Sequence, residues 1–318
     1  MPKILPKILL TIGDPAGIGP EIILKIFSRK SIASKFDLTV IGKKSILDFY
    51  SKKLSLPKIP SDRVVEIKSG VLFKPGKTNK SCGKLSGLAI KKAVELCLRG
   101  KFDAMVTLPI SKYSLNLAGY KFDGHTEMLG KLTKCSPLMI LYSDKLIVSL
   151  VTGHNSLKDT AKKISQKRII DKVILTNNIL VRDFNIKKPK IAVLSLNPHS
   201  GDGGVLGNEE IKIIAPAITK LKNAGFNIEG PFAADGYFGN KTYKKFDVTI
   251  AMYHDQGLIP FKMMAYETGV NYTGNISIVR TSPDHGTAFD IAAEGKANIN
   301  STVNAIKLAA KISENKNH

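Results

Sequence analysis

The stretch KIAVLSLNPH at residues 190–199 decides the fold class of this chain. It is a short apolar run that ends at an Asn-Pro pair followed by a histidine. The stretches LIVSLVTGH at 146–154 and VTIAMYH at 248–254 are likewise short apolar runs that end in a histidine. Short β-branched runs bounded by Gly, Pro and Asn are typical of buried strands in a parallel sheet. Helix-length amphipathic segments separate the three runs, and this alternation predicts an α/β fold with a mostly parallel sheet.

The three runs share a histidine at their carboxyl end, namely His154, His199 and His254. Ligands of parallel α/β sheets collect outside the carboxyl ends of the strands, so the three imidazoles are expected at one edge. Neutral imidazole binds divalent metals such as Zn²⁺, and three protein ligands leave positions open for a substrate. The alternative is that each histidine is an ordinary loop or core residue, because the spacing carries no compact ligand motif. A catalytic metal site is the leading hypothesis.

Strand-like and helix-like segments alternate along the rest of the chain. The further predicted strands lie at 8–12, 38–41, 104–108 and 276–280, and the predicted helices at 20–27, 157–181, 209–224 and 301–312. Ser86 is predicted to cap another helix, because serine is a favoured N-cap and apolar residues follow it at helical spacing. The apolar runs are too short to cross a membrane and no signal peptide is recognised, so a cytoplasmic protein without a membrane partner is expected.

The formal net charge of +22 raises the question of nucleic-acid binding. Nucleic-acid interfaces concentrate basic residues on one face and interleave them with aromatics. Here lysine supplies the excess and is scattered along helical segments, while arginine occurs at only six positions. The composition therefore predicts no nucleic-acid partner, and the positive field suits an anionic small molecule. The three cysteines form neither a C-x-x-C pair nor an even set, which is typical of reduced thiols.

Two glycine-rich turns resemble nucleotide-binding motifs without matching them. GDPAGIGPE at 13–21 joins a strand to a helix, but its glycines do not follow the G-x-G-x-x-G spacing of dinucleotide sites. The segment 70–78 ends in Gly-Lys-Thr like a P-loop, yet its glycines are one residue too far apart and no helix follows directly. The sequence predicts no standard Rossmann site and leaves the residues that bind a dinucleotide unassigned.

Candidate anion-binding residues follow His254 along the chain. They are Lys262, Asn271 and Arg280. Arginine offers two parallel donors to a phosphate or carboxylate, whereas lysine is a movable point charge. Arg280 is predicted to end an apolar strand, where a lone guanidinium needs a buried or cleft-side anion. An internal salt bridge is the alternative interpretation of Arg280.

Five motifs together resemble the 4-hydroxythreonine-4-phosphate dehydrogenase family of pyridoxal phosphate biosynthesis, and they span nearly the whole chain. They are GDPAGIGPE at 13–21, GHTE at 124–127, LNPH at 196–199, YHDQG at 253–257 and DHGTA at 284–288. The resemblance implies two α/β/α domains with mostly parallel sheets, similar to isocitrate and isopropylmalate dehydrogenases, with the active site in an interdomain cleft at a homodimer interface. It implies a first domain of residues 1–135 plus 275–318 and a second domain of 136–274 that carries the metal histidines.

Carried over residue by residue, the resemblance also implies the roles of side chains. A divalent cation, Zn²⁺, Co²⁺ or Mg²⁺, is expected on His154, His199 and His254, shared across the dimer. The phosphorylated substrate is expected to contact His125, Thr126, Lys262, Asn271 and Arg280. Two loops depart from the family pattern: 153–156 reads GHNS where Thr-His-Leu-Pro is frequent, and SGD follows His199 where Ala-Gly-Glu is common. Both departures keep the histidines.

The implied reaction is oxidation of 4-phosphooxy-L-threonine with NAD or NADP, followed by loss of CO₂. Asp255, beside a metal ligand, and Asp235 are the candidates for the general base, and Asp255 equally suits the orientation of an imidazole. A related subgroup oxidises four-carbon sugar-acid phosphates, which gives an alternative substrate. The alternative from another class is a non-catalytic protein that binds a sugar phosphate or nucleotide, and it predicts no metal.

Overall fold

The computed structural model describes residues 5–122 and 124–316. The strands in these ranges are β1 (Lys7–Thr11), β2 (Asp37–Gly42), β3 (Val64–Glu66), β4 (Ala104–Thr107), β5 (Leu138–Tyr142), β6 (Ile147–Leu150), β7 (Ile191–Leu194), β8 (Ile228–Phe232), β9 (Val248–Ala251), β10 (Val270–Gly274) and β11 (Val279–Pro283). The α-helices are α1 (Gly19–Ser28), α2 (Lys30–Ala33), α3 (Lys44–Leu54), α4 (Lys80–Leu98), α5 (Lys112–Leu117), α6 (His125–Thr133), α7 (Leu157–Lys163), α8 (Gln166–Phe184), α9 (Ala215–Asn223), α10 (Ala234–Gly239), α11 (His254–Ala265) and α12 (Asn300–Lys316). This alternation confirms the predicted α/β class.

The chain divides into two compact units. Unit 1 contains the described residues up to Pro137 and those from Val270 onward, and unit 2 contains Leu138–Gly269. The division assigns β10 to unit 1, whereas the sequence-based boundary after residue 274, which stays a prediction, assigns it to the second domain. Among the described residues, none of the helices combines the length and the apolar character needed to cross a membrane.

In unit 1 the strands are ordered β3-β2-β1-β4-β11-β10. All neighbours are parallel except β10, which runs antiparallel to β11. The apolar run Ile8, Leu9 and Leu10 of β1 is fully buried. Because parallel strands with both faces covered carry continuous apolar runs, β1 and β4 form the centre of this sheet.

In unit 2 the strand order is β5-β6-β9-β7-β8. Here β5 is antiparallel to β6, and β6, β9, β7 and β8 are parallel. Val148 of β6, Leu194 of β7 and Phe261 of α11 belong to one buried apolar cluster. This cluster fixes α11 against the strands that precede the three histidines.

The turn between β1 and α1 is built around a buried carboxylate. Asp14 is fully buried, and its carboxylate accepts hydrogen bonds from Ala16 N (2.9 Å), Thr78 Oγ1 (2.6 Å) and Ser114 Oγ (2.8 Å). Gly13 has φ +74°, which favours glycine. The turn thus ties three distant segments of unit 1 together, a structural role for the GDPAGIGPE motif.

Three sequence-based element boundaries are wrong. The helix expected to start at Ser86 begins at Lys80, because the Asn79 side chain accepts hydrogen bonds from the backbone N–H groups of Ser81 and Cys82. Ser86 instead lies inside α4 and donates to the Gly13 carbonyl (2.8 Å).

The helix expected over 157–181 is divided into α7 and α8, since Ser165 caps a new helix through Arg168 N. The strand expected over 276–280 lies at Val279–Pro283. Arg280 is therefore the second residue of β11 and does not end a strand.

Candidate active site

The three histidines follow three neighbouring strands of unit 2. Strand β9 lies between β6 and β7, and the three are parallel, so their carboxyl ends meet at one edge of the sheet. His154 follows β6, His199 follows β7, and His254 is the first residue of α11 directly after β9. The strand arrangement agrees with the shared edge expected from the sequence.

Two of the histidines are adjacent in this chain. The ring centroids of His154 and His254 are 5.3 Å apart. The Nδ1 atom of His254 is 2.7 Å from Oδ1 of Asp255, which is hydrogen-bond distance. A carboxylate on one ring nitrogen orients the imidazole and leaves the other nitrogen for a metal. Asp255 is thus placed to orient His254.

His199 lies in a separate loop and is exposed. It starts a left-handed stretch in which His199, Ser200 and Asp202 have φ values of 50°, 53° and 43°. Non-glycine residues cost roughly 1–2 kcal/mol each in this region, so contacts elsewhere must hold the loop. Across residues 5–122 and 124–316, no three His, Cys, Asp or Glu side chains are grouped closely enough to hold one metal ion. One chain therefore brings together His154 and His254 without His199.

Gln256 connects two of the strand ends, a role that the sequence analysis did not assign to it. Its Nε2 donates to Ser195 O after β7 (2.6 Å), and its Oε1 accepts from Met252 N after β9 (2.7 Å). The remaining general-base candidate, Asp235, is exposed in the first turn of α10, which follows β8. Since β8 is parallel to β7, Asp235 also follows the carboxyl end of its strand.

Arg280 is the most deeply buried of the candidate phosphate-binding residues in unit 1. Its side chain is 2% exposed, and its guanidinium donates to Thr107 Oγ1 from Nε (3.0 Å) and Nη2 (2.6 Å) and to Thr273 Oγ1 from Nη1 (2.7 Å). These are neutral hydroxyls, so the described residues do not provide the internal salt bridge of the alternative interpretation. Burial lowers the pKa of Arg280 to about 9. A buried guanidinium among hydroxyls is suited to bind an anion, because an anion would offset the desolvation of the cation.

Two further candidate residues, His125 and Asn271, lie near the Arg280 guanidinium. Register pairs Asn271 of β10 with Ser282 of β11, which puts Asn271 and Arg280 on the same sheet face. The buried atoms Asn271 Oδ1 and His125 Nε2 have no hydrogen-bond partner among the described residues. Burial and the nearby Arg280 cation hold the pKa of His125 well below its usual range. The imidazole is therefore neutral at physiological pH.

Thr126 and Lys262 occupy helices. Thr126 follows His125 in the first turn of α6, where backbone N–H groups carry partial positive charge that favours an anion. Lys262 lies on α11 in unit 2, with its Nζ 6.0 Å from the centre of the Tyr266 ring. Thr107 and Thr273 were missed by the sequence analysis, because threonine within a strand is an ordinary β-former and only the register brings it to Arg280.

The donors fit the two groups that the motifs imply. The paired imidazoles, with Asp255 on one of them, suit Zn²⁺ or Co²⁺ better than Mg²⁺, which prefers oxygen ligands. The phosphate candidates combine a buried cation, an unpaired buried imidazole nitrogen and a helix N-terminus. This is a donor-rich set of the kind that recognises phosphate.

Comparison with known proteins gives near-full-length matches. A curated 4-hydroxythreonine-4-phosphate dehydrogenase of Prosthecochloris aestuarii is 44% identical and covers 96% of this chain and 97% of its own length. A putative D-threonate 4-phosphate dehydrogenase of Salmonella typhi is 38% identical over 96% of this chain and 98% of its own. The crystal structure of 4-hydroxythreonine-4-phosphate dehydrogenase from Klebsiella pneumoniae is 35% identical, with a TM-score of 0.83, and covers 97% of this chain and 99% of that one.

A family model matches residues 22–309, which include all the candidate site residues. The family resemblance and the fold class expected from the sequence are thereby confirmed. The chain belongs to the PdxA family of pyridoxal phosphate biosynthetic proteins.

Proposed function

We propose that this chain is a 4-hydroxythreonine-4-phosphate dehydrogenase, which oxidises 4-phosphooxy-L-threonine with a nicotinamide cofactor, NAD or NADP, and with a divalent metal. The observation that carries the proposal is Arg280, a buried guanidinium held only by hydroxyls in the described structure. Its chemistry matches the phosphate in the names of the near-full-length relatives. Arg280, His125, Thr126, Asn271 and Lys262 are the phosphate-binding residues of this proposal.

The proposed phosphate-binding residues differ in charge and in shape. Arg280 supplies a fixed, planar cation, and Lys262 adds a mobile charge. Because the pKa of His125 is lowered, the neutral imidazole contributes a hydrogen bond without a further positive charge. Anchoring the phosphate fixes the position of the carbon that bears the reacting hydroxyl, which lowers the entropic part of the barrier.

The histidine edge of unit 2 is the proposed metal site, with His154, His199 and His254 as ligands. When bound, a divalent cation there supplies Lewis acidity, which lowers the pKa of the substrate hydroxyl and polarises the ketone that forms. Asp255 holds the His254 ring by its Nδ1 atom. Asp235 is the candidate that accepts or relays the hydroxyl proton.

The proposed reaction is a two-electron oxidation of an alcohol to a ketone. The C3–H bond breaks as a hydride that passes to the nicotinamide, and the hydroxyl proton passes to the base. The product, 2-amino-3-oxo-4-phosphooxybutanoate, then loses its carboxylate as CO₂, and the carbon that carried it takes up a proton to give 3-amino-2-oxopropyl phosphate. The cytoplasm is the proposed compartment, where the three free cysteines of the chain stay reduced.

A homodimer that shares its metal site accounts for the separation of His199 from the other two ligands. Support comes from α11, which starts at His254. Its residues Ile259 and Met263, one helical turn apart, and Tyr266, which directly follows the helix, are 58%, 84% and 75% exposed, although they are large and apolar. An apolar stripe beside an incomplete site is typical of an interface. Replacing Met263 by Asp is expected to yield monomers in light scattering, with loss of tight metal binding.

Subunit mixing tests the shared site. His199→Ala and His254→Ala chains, each of which is expected to be inactive alone, are unfolded, mixed and refolded into hybrids. If one site takes His199 and His254 from different chains, each hybrid regains one intact site and activity returns. If one chain supplies all three ligands, every site in the hybrid carries a substitution, and the mixture stays inactive.

The substrate is tested by steady-state kinetics. Purified protein is assayed for NADH and NADPH formation with 4-phosphooxy-L-threonine and, in parallel, with D-threonate 4-phosphate. The proposal expects the larger kcat/KM for 4-phosphooxy-L-threonine. A larger value for D-threonate 4-phosphate would assign the chain to the activity named for the Salmonella typhi relative. Absence of turnover with both substrates, in the presence of Zn²⁺ or Co²⁺, would contradict the proposal and favour the non-catalytic alternative.

A further inference from the structure

The loop that carries His199 has an unfavourable backbone conformation that needs support from contacts outside the loop. Every residue from His199 to Gly204 has positive φ, and three of them are not glycine. Left-handed backbone is unfavourable for L-residues and persists only where the surroundings over-determine it. Contacts outside the turn must therefore keep His199 in place.

A buried glutamate supplies these contacts. Glu210 is 3% exposed, and its Oε1 accepts hydrogen bonds from Leu196 N (2.8 Å) and Asn197 N (2.8 Å). Its Oε2 accepts a further bond from Asn197 Nδ2 (2.9 Å). Glu210 thus binds both the backbone and the side chain just before His199.

Asn197 and the following glycines complete the arrangement. Asn197 Nδ2 also donates to Glu209 Oε2 (2.7 Å), so both of its N–H groups are used. The loop packs closely around this pair, because a Cβ on Gly201 would lie 2.7 Å from Glu210 Oε2 and one on Gly207 would lie 2.4 Å from Asn197 Nδ2. The turn is closed by the bond from Leu206 N to Gly201 O (3.1 Å).

We propose that Glu210 and Asn197 form a loop clamp whose role is to position His199 as a metal ligand. The inference rests on the proposed function, since it takes the metal site as given. The loop clamp touches neither substrate nor cofactor, and it acts through the backbone of residues 196–199. Residues that orient a metal ligand typically change metal affinity by 10–100-fold when they are replaced.

The contacts require a carboxylate at position 210. The three groups that face the Glu210 oxygens are all donors, and a carboxylate is acceptor-only. Burial by itself raises the pKa of Glu210, but the hydrogen bonds from Asn197 and Leu196 outweigh it and leave the pKa below its usual range. In Glu210→Gln an amide NH₂ must face one of these donors, so at least one contact is lost without a large change in shape.

The test uses the full-length protein and Co²⁺ as the probe. Calorimetric Co²⁺ titrations of the wild type, Glu210→Gln, Asn197→Ala and the double variant give Kd without relying on turnover. We expect Kd to rise at least about tenfold in each single variant, with no further rise in the double variant, because both belong to one clamp. Amide exchange of residues 199–206 is expected to become faster in both single variants, also without metal.

Glu229→Gln is the matched control, an exposed glutamate of the same unit outside the site, and its Kd and exchange should equal those of the wild type. Asn197→Ala keeps both backbone bonds to Glu210, so it carries the test if Glu210→Gln does not fold. Unchanged Kd and exchange in folded variants would overturn the loop clamp alone. A wild type that binds no Co²⁺ would overturn the proposed metal site and the loop clamp together, and the NADH assay then shows separately whether dehydrogenase activity remains.

Discussion

Replacing Arg280 with methionine is expected to abolish phosphate recognition without the loss of stability usual for a large buried side chain. The fall of the Arg280 pKa from its ordinary value to about 9 corresponds to about 5 kcal/mol of desolvation cost in the folded chain at neutral pH. Its three hydrogen bonds to Thr107 and Thr273 return about 1.5 kcal/mol each, the low end of the range for a charged donor, because two of them share the Thr107 hydroxyl. The two contributions nearly cancel, so the free energy of unfolding of Arg280→Met should stay within about 2 kcal/mol of the wild type.

Binding should change far more than stability. The three bonds to hydroxyls use three of the five guanidinium N–H groups, which leaves two for a phosphate. Hydrogen bonds to a charged group contribute about 1.5–3 kcal/mol each, so their loss should raise KM for the phosphorylated substrate by about 100-fold or more. Arg99→Met, which removes an exposed arginine paired with Glu95, is the control and should leave KM unchanged.

Urea unfolding with and without inorganic phosphate measures both quantities. Saturating phosphate should stabilise the wild type, by about 2.7 kcal/mol at a hundredfold excess over Kd, and should not stabilise Arg280→Met. In the wild type the Arg280 cation carries its full desolvation cost at every pH below about 9. The difference between wild type and Arg280→Met in their response to phosphate is therefore expected across the neutral pH range. If Arg280→Met unfolds several kcal/mol more easily and still responds to phosphate, Arg280 is a structural residue and the reasoning is refuted.

Three further substitutions test separate contacts. Because the pKa of His125 in the folded chain lies below its usual value, the unfolded chain binds more protons than the folded chain as the pH falls below about 6.5, and the wild type loses stability. His125→Gln lacks this titration, so between about pH 7 and 5.5 it should lose about 1 kcal/mol less stability than the wild type in urea titrations. Asp14→Ala should lower the free energy of unfolding by about 3 kcal/mol in denaturant titrations, since three donors lose their buried acceptor. Gln256→Ala should weaken Co²⁺ binding about tenfold in calorimetry, because the ends of β7 and β9 lose their bridge; an unchanged Kd would mean that Gln256 does not support the histidines.

Local patterns predicted the strands that precede the histidines because each of them is a short continuous run rich in apolar residues. The same logic failed for β11, which begins three residues later than expected. Its sequence Val-Arg-Thr-Ser-Pro is largely polar although buried. On one face Arg280 donates to threonine hydroxyls, and on the other Thr281 donates to Ala305 O of α12. Polar residues in a site-forming strand look like a loop when only periodicity is considered.

The partners of Arg280 depend on the pairing of β11 with the strands on both of its sides. Thr107 and Thr273 are 173 and 7 residues away in sequence, and register alone brings them to the guanidinium. The start of α4 was missed for a different reason: Asn79 caps a first turn of polar residues, so the apolar periodicity begins later than the helix. The loop clamp around His199 had a partial signal in Glu209 and Glu210, which begin the helix predicted over 209–224, but only the structure shows that Glu210 is buried against the preceding loop.

The most direct measurement follows NADH formation from 4-phosphooxy-L-threonine while Co²⁺ is returned to metal-stripped protein. A metal-assisted dehydrogenase is expected to be inactive when stripped and to regain activity in proportion to the Co²⁺ bound. His199→Ala is expected neither to bind Co²⁺ tightly nor to regain activity. Full activity of the stripped wild type, or tight Co²⁺ binding with normal turnover in His199→Ala, would contradict the proposed site.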